Sequence, residues 1–225
     1  MSLIELPDLI QGSDEWLEAR RGMVTASVVG KLITTKTVKP ADNDYSRALT
    51  AQLVAERITG YVDPVFVSDD MLRGHEDEPR ARDLYSEKYA PARESGFLIR
   101  DFGSFRIGYS PDGLVGDDGL IEVKSPRAKK HLTTILSREI PPEHMAQVQC
   151  GLLVTGRSWC DFLSYCGGMP MWRKRVLPDQ RWFDAIVAAA EKFEETAAQM
   201  VADYEAEVAG LPTTERAPDF EDMVI

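Results

Sequence analysis

The chain has 225 residues, 44% hydrophobic and 28% charged, which suits a single domain with a sizeable core. Its apolar runs fall far short of the ~18 to 20 residues that span a bilayer, and its start, MSLIELPDLIQGSDEW, lacks a basic segment followed by an apolar one, so neither a membrane protein nor a secreted one is expected. The net charge of −11 counts against nucleic-acid binding, but residues 120–175 carry nine Lys/Arg against four acids, and 176–225 three against twelve, so a basic channel on an acidic body is open.

Ser13 can cap a short helix through Arg20, and a second short helix starts near Thr25 or Ser27, after Gly22. Tyr45 to Thr59 is amphipathic and stops at Gly60. Asp69 to Tyr89 reads helical, with Pro79 expected to kink it or start a new segment. Segments 95–100, 104–110, 113–116 and 119–124 are short, rich in β-formers and punctuated by glycine, and predict a meander of strands. Pro141-Pro142 opens a helix to about Val154, strands follow at 159–165 and 171–177, and a long helix runs from about Asp179 to Val208. This order predicts an α/β (α+β) fold with a central mixed sheet flanked by helices: one domain over 1–209, then a loose acidic tail over 210–225.

Cys150, Cys160 and Cys166 have no CxxC spacing and are odd in number, so they read as reduced thiols of a cytosolic protein. The chemistry gathers in SPDGLVGDDGLIEVKSP, residues 110–126. Asp112 stands at a turn, and Glu122 and Lys124 follow on a strand whose alternation points both to one side. A hairpin through Gly116 and Gly119 would bring Asp112 beside them. Two hard carboxylates at short range invite a hard cation such as Mg²⁺, and the Val123 carbonyl could add a ligand. One ion, or two ~3.5–4 Å apart, could activate water against a phosphodiester, with Lys124 orienting that water or neutralising developing charge. The plain alternative is a Pro-Asp-Gly turn leading into a strand with solvent-facing Glu and Lys.

Other candidates are weaker. Glu78 could be a third acid, with Met71, His75 and Arg82 on its helical face, though locally the plainer reading is a solvated charged helix. Three histidines in all argue against a His-based zinc site. Arg20, Thr25 and Ser27 suit a phosphate at a helix N-terminus, or a plain cap. Gln147 and Gln149 point to different sides of one helix, so at most one reaches a site, and packing alone would explain both.

In order, W-x3-R-x-G-x-x-T-A-S (Trp16, Arg20, Gly22, Thr25, Ala26, Ser27), Gly74 with Glu78, Ser110-Pro111-Asp112-Gly113, Glu122 with Lys124, and Met145 to Gln149 resemble phage lambda exonuclease and the YqaJ-type viral recombinases of the PD-(D/E)xK nuclease superfamily. The resemblance runs over about 11–165. It implies a restriction-endonuclease-like core and a Mg²⁺-dependent 5′→3′ exonuclease that leaves 3′ single strands for recombination, with two ions and Mn²⁺ as a substitute. Asp112, Glu122 and the Val123 carbonyl would hold metal, Glu78 would support the site, and Lys124 would be the catalytic lysine. Arg20, Ser27, Ser110 and Gln147 would bind the 5′-terminal phosphate, with Thr25 lining that pocket at most, and Met71 would be a wedge at the duplex end. Implied partners are double-stranded DNA ends, a single-strand-annealing protein and a homotrimeric ring, in the cytoplasm of a bacterial host as a phage or prophage protein. The family's further basic residue near the DNA entrance has no clear counterpart; Lys31, Lys36 and Lys39 lie there without an arginine. Two other readings stay open: another PD-(D/E)xK nuclease, endonucleolytic or structure-specific, and an inactive DNA-end-binding module.

Overall fold

The computed structural model describes residues 2–64 and 67–216. In chain order these residues form β1 (Ser2–Leu6), α1 (Asp14–Arg20), β2 (Val24–Thr25), α2 (Ala26–Val29), β3 (Ile33–Thr34), β4 (Lys39–Pro40), α3 (Asp44–Thr59) and α4 (Asp69–Lys88). Then come β5 (Ala92–Arg93), β6 (Phe97–Asp101), β7 (Arg106–Tyr109), β8 (Gly113–Val115), β9 (Gly119–Lys124), α5 (Ala128–Ser137), α6 (Pro142–Thr155), β10 (Trp159–Ser164), β11 (Trp172–Val176) and α7 (Gln180–Glu207).

The fold is mixed α/β, as the order of elements predicts, but the strands divide between sheets. One sheet has the order β1-β6-β7-β2 and the other β11-β10-β9-β8-β5, with β3 and β4 as a separate ribbon. The division falls between β7 and β8, at Ser110-Pro111-Asp112. Pro111 has no N–H to give to a ladder, so the strand ends there and the chain changes sheets.

Strand β9 lies at the centre of the second sheet, antiparallel to β8 and parallel to β10. Its two faces bury different sets. Leu120 joins a large core with β10, α6 and α7, through Phe162, Val148, Leu152, Ile186 and Phe193. Ile121 and Val123 join a smaller core with Ala81 and Tyr85 of α4. A strand covered on both faces places any polar side chain on it in the dark, and Glu122 is one.

Helix α4 is a single element with Pro79 inside it, so the expected new segment does not form. Its inner face is fixed on both sides of the proline. Asp77 accepts from the Ser125 hydroxyl at 2.6 Å, and Tyr85 donates to Asp161 at 2.7 Å. Packing on the sheet therefore outweighs the one backbone bond that proline removes. Six elements are additions to the sequence reading: β1, which edges onto β6, β2, which pairs with β7, the β3–β4 ribbon, β5, which edges onto β8, and α5. Residues 211–216 form no helix or strand, and Arg216 lies over the Tyr61 ring; 217–225 lie outside the described residues. No helix among the described residues is long and apolar enough to cross a membrane.

Asp161 is fully buried and accepts from Tyr85, from Arg173 at 2.9 Å and from Arg175 at 2.8 and 2.9 Å. These bonds tie α4 and β11 to β10. Asp161→Ala leaves a tyrosine hydroxyl and two guanidinium groups without their acceptor, and should cost about 3 kcal/mol in urea denaturation. A loss below about 0.5 kcal/mol would show that the network does not hold these elements.

Candidate active site

The hairpin β8–β9 pairs Gly113 with Ile121 and Val115 with Gly119, so one step further sets Asp112 opposite Glu122. The turn uses Gly116 at φ 51°, a left-handed conformation that glycine adopts without strain. Asp112 Oδ2 accepts from the Val123 N–H at 2.6 Å, which fixes that carboxylate against β9. Strand alternation brings Lys124 over Glu122: its Nζ donates to Glu122 Oε1 at 2.7 Å. Glu122 is 0% exposed, and its second oxygen accepts from the Tyr109 hydroxyl at 3.2 Å. Asp112, Glu122 and Lys124 thus converge as the spacing predicts. Tyr109 is an addition, because an aromatic residue in a strand carries no signal beyond core packing.

Glu78 approaches from α4 and is half-buried. Arg82, one turn on, holds it: Nη1 donates to Glu78 at 3.0 Å and to the Asp112 carbonyl at 2.6 Å, while Nη2 donates to Glu94 at 2.6 Å. One planar fork therefore links the helix, the turn and the supporting acid. His75 on the same helix is exposed, in keeping with a surface residue.

Electrostatics follow from burial. Removal from water, then the Glu122 charge, pushes the Asp112 carboxyl well above the usual carboxylate range. Glu78 is raised too, mainly by burial and against the pull of Arg82. Burial works against the Lys124 ammonium, but Glu122, Asp112 and Glu78 outweigh it and hold it above its ordinary value. Three carboxylates thus face one lysine and one arginine, a deficit of positive charge. That deficit, and the hard-oxygen character of the donors, fits a hard divalent cation at Asp112 and Glu122. Among the described residues no three His, Cys, Asp or Glu side chains are already gathered as a ligand set. Two carboxylates are the usual protein share for Mg²⁺, which keeps several waters.

Of the residues expected at a terminal phosphate, Arg20 and Ser110 meet at Trp16. Its ring lies under Arg20, 4.2 Å from the guanidinium carbon, and its Nε1 donates to Ser110 Oγ at 2.9 Å. Burial lowers the Arg20 pKa from its ordinary value, though the side chain keeps its charge. Ser27 is exposed on α2, and its hydroxyl lies 3.1 Å from that of Thr25. Helix α2 packs on α6, which carries Gln147. Of the two glutamines, Gln149 is buried, with its amide donating to the Leu177 carbonyl and accepting from Asp179 N. Gln147 is half-buried and makes no such bonds, so it remains the one available. Met71 is 50% exposed on α4. Lys31, Lys36 and Lys39 are all exposed, and nothing singles one out. The three cysteines are free, two of them buried.

A second residue absent from the sequence reading is His144, in the first turn of α6. It stacks on Phe162 with ring centroids 5.7 Å apart. Burial, then the Lys124 charge, lowers its pKa to about 4, so it is neutral at pH 7.

A mixed sheet flanked by helices, with Asp112, Glu122 and Lys124 at a strand turn, defines a nuclease of the PD-(D/E)xK class. Residues 15–158 match the YqaJ-like viral recombinase domain, and the chain belongs to that family. Among solved structures, an alkaline exonuclease from Laribacter hongkongensis, LHK-Exo, is 32% identical, with a TM-score of 0.78 over 89% of this chain and 100% of that one. The same exonuclease in complex with dAMP matches equally well, at 32% identity and a TM-score of 0.78 over the same shares of each chain. A phage-related exonuclease from Haemophilus somnus 129PT shares the fold at 12% identity, with a TM-score of 0.66 over 81% of this chain and 96% of that one. No curated protein sequence matches the chain.

The lowered His144 pKa has a consequence for stability. Below the ordinary value of 6.5 the unfolded chain takes a proton on this residue that the folded chain refuses until about pH 4. Its contribution is complete above pH 6.5 and is lost as pH falls towards 4. His144→Phe, which keeps the stacked ring, should lose less stability than the wild type between those pH values in urea denaturation. Identical pH slopes would contradict the burial of a neutral imidazole.

Proposed function

We propose that this nuclease is a Mg²⁺-dependent 5′→3′ exonuclease that degrades one strand of linear duplex DNA from 5′-phosphorylated ends, leaving 3′ single strands for recombination by strand annealing. The observation that carries the reading is the adjacency of two clusters. Asp112, which converges with Glu122 and Lys124, stands two residues along the chain from Ser110, which Trp16 joins to Arg20. An arginine with no ion pair among the described residues, next to a catalytic-type carboxylate pair, suits a strand terminus bearing phosphate.

Asp112, Glu122 and the Val123 carbonyl would hold the metal, two ions in all, with Mn²⁺ able to substitute. Bound Mg²⁺ supplies a Lewis acid and a water activated for attack on phosphorus. Lys124 neutralises charge developing on the phosphoryl oxygens and orients the attacking water. Glu78, through Arg82, fixes the Asp112 turn. Arg20, Ser27, Ser110 and Gln147 hold the terminal phosphate, and exposed Met71 wedges the duplex end. The complex of LHK-Exo with dAMP, a deoxynucleoside monophosphate, supports a mononucleotide product. A homotrimeric ring would give the charge segregation a purpose, with the basic 120–175 segment lining a channel. A single-strand-annealing protein, in the cytoplasm of a bacterial host, completes the proposed setting.

Digestion of linear duplex with Mg²⁺, comparing 5′-phosphate with 5′-hydroxyl ends and including closed circles, tests the reading. Loss of the 5′-phosphorylated strand alone is expected; cutting of circles would favour an endonuclease. Asp112→Ala and Glu122→Ala should abolish cleavage while DNA is still bound. Lys124→Ala should lose about 10²–10³-fold in rate. Arg20→Ala should remove a roughly 10- to 100-fold preference for the 5′-phosphate. Full preference in that variant would contradict the phosphate pocket.

A further inference from the structure

The chain has three histidines, and they differ in one respect. His75 is exposed. His131 is fully buried and both ring nitrogens are bonded, Nδ1 with Ser164 Oγ at 2.8 Å and Nε2 with the Pro170 carbonyl at 3.0 Å. His144 is half-buried, yet neither ring nitrogen has a partner among the described residues. The only fully buried side-chain polar atom without a partner among them is Arg73 Nε, so the His144 nitrogens keep access to solvent. A histidine placed for packing is satisfied as His131 is. His144 is instead held by one ring face and left open at its edge.

Its surroundings locate that edge. Phe162, on which it stacks, pairs in register with Glu122 and so shares its face of the sheet. Lys124 is close enough for its charge to act on the imidazole. Gln147 lies three residues on along α6, on the same helical face. We infer that His144 is a substrate-binding residue of the terminal-nucleotide subsite, where its imidazole N–H donates to a phosphate oxygen of the nucleotide lying between Gln147 and Lys124. A neutral imidazole carries one donor and one acceptor. Its donor suits an anionic oxygen, and its lack of charge leaves the neighbouring Lys124 ammonium unopposed.

The inference rests on the nuclease reading of Asp112, Glu122 and Lys124, and the test separates the two. His144→Phe keeps the stack and removes the donor; His144→Gln restores a donor. KM and kcat are measured on 5′-phosphorylated linear duplex with Mg²⁺, dAMP affinity by calorimetry with Mg²⁺, and Tm on each protein. His144→Phe should raise KM about 10-fold, weaken dAMP by the same factor and leave kcat within about threefold. Its Tm at pH 7.5 should equal the wild type's, and His144→Gln should recover much of the affinity. Equal KM and equal dAMP affinity in His144→Phe would overturn the proposal. So would a fall in Tm together with kcat that glutamine does not rescue, which marks a packing residue. dAMP is read without turnover, so a wild type that binds dAMP but cuts no DNA contradicts the nuclease reading and leaves the His144 contact supported.

Discussion

Taking a carboxylate wholly out of water costs several kcal/mol unless neighbours replace its hydration. Glu122 is such a carboxylate, on a strand buried on both faces. Among the described residues, only the Lys124 ammonium and the Tyr109 hydroxyl donate to it. Asp112 stands opposite with its own proton affinity raised, so the two carboxylates strain against each other in a dry setting. The arrangement is unfavourable as a purely structural device and favourable as a cation site, where a divalent charge reverses the repulsion. The rest of the architecture keeps this pair close.

Three elements do so. The β8–β9 hairpin sets the register, and the Val123 N–H clamps Asp112. Helix α4 brings Arg82, whose fork spans Glu78 and the Asp112 carbonyl. The Asp161 network then fixes α4 to the far face of the same sheet and ties β11 to β10 within it. The break between the two sheets at Pro111 adds a further consequence. It places Ser110 on the side of Trp16 and Arg20, and Asp112 on the side of Glu122 and Val123. A single turn therefore borders both the proposed phosphate pocket and the carboxylates.

Much of this is legible in the sequence. Alternation alone puts Glu122 and Lys124 on one side, and the glycine turn puts Asp112 opposite, because strand period and hairpin geometry are local rules. What escapes is what depends on distant partners. Strand β1 forms only because β6 offers an edge to it. Helix α5 is built from AKKHLTTILS, whose β-branched residues favour other structures until His131 is buried against Ser164. Pro79 reads as a break because the sequence does not show that α4 is held to the sheet before and after it. Gln147 and Gln149 lie about 200° apart on a helix, so only one can face the site. The choice between them waits on the bonds that engage Gln149 at the start of α7.

The most direct test of the central claim is where a divalent cation binds. Crystals soaked in Mn²⁺ and measured at the manganese absorption edge give an anomalous peak at each bound ion. The account predicts a peak bounded by the carboxylates of Asp112 and Glu122 and the Val123 carbonyl, absent in crystals of Asp112→Ala. No peak there at saturating Mn²⁺, or one that persists in that variant, would contradict it.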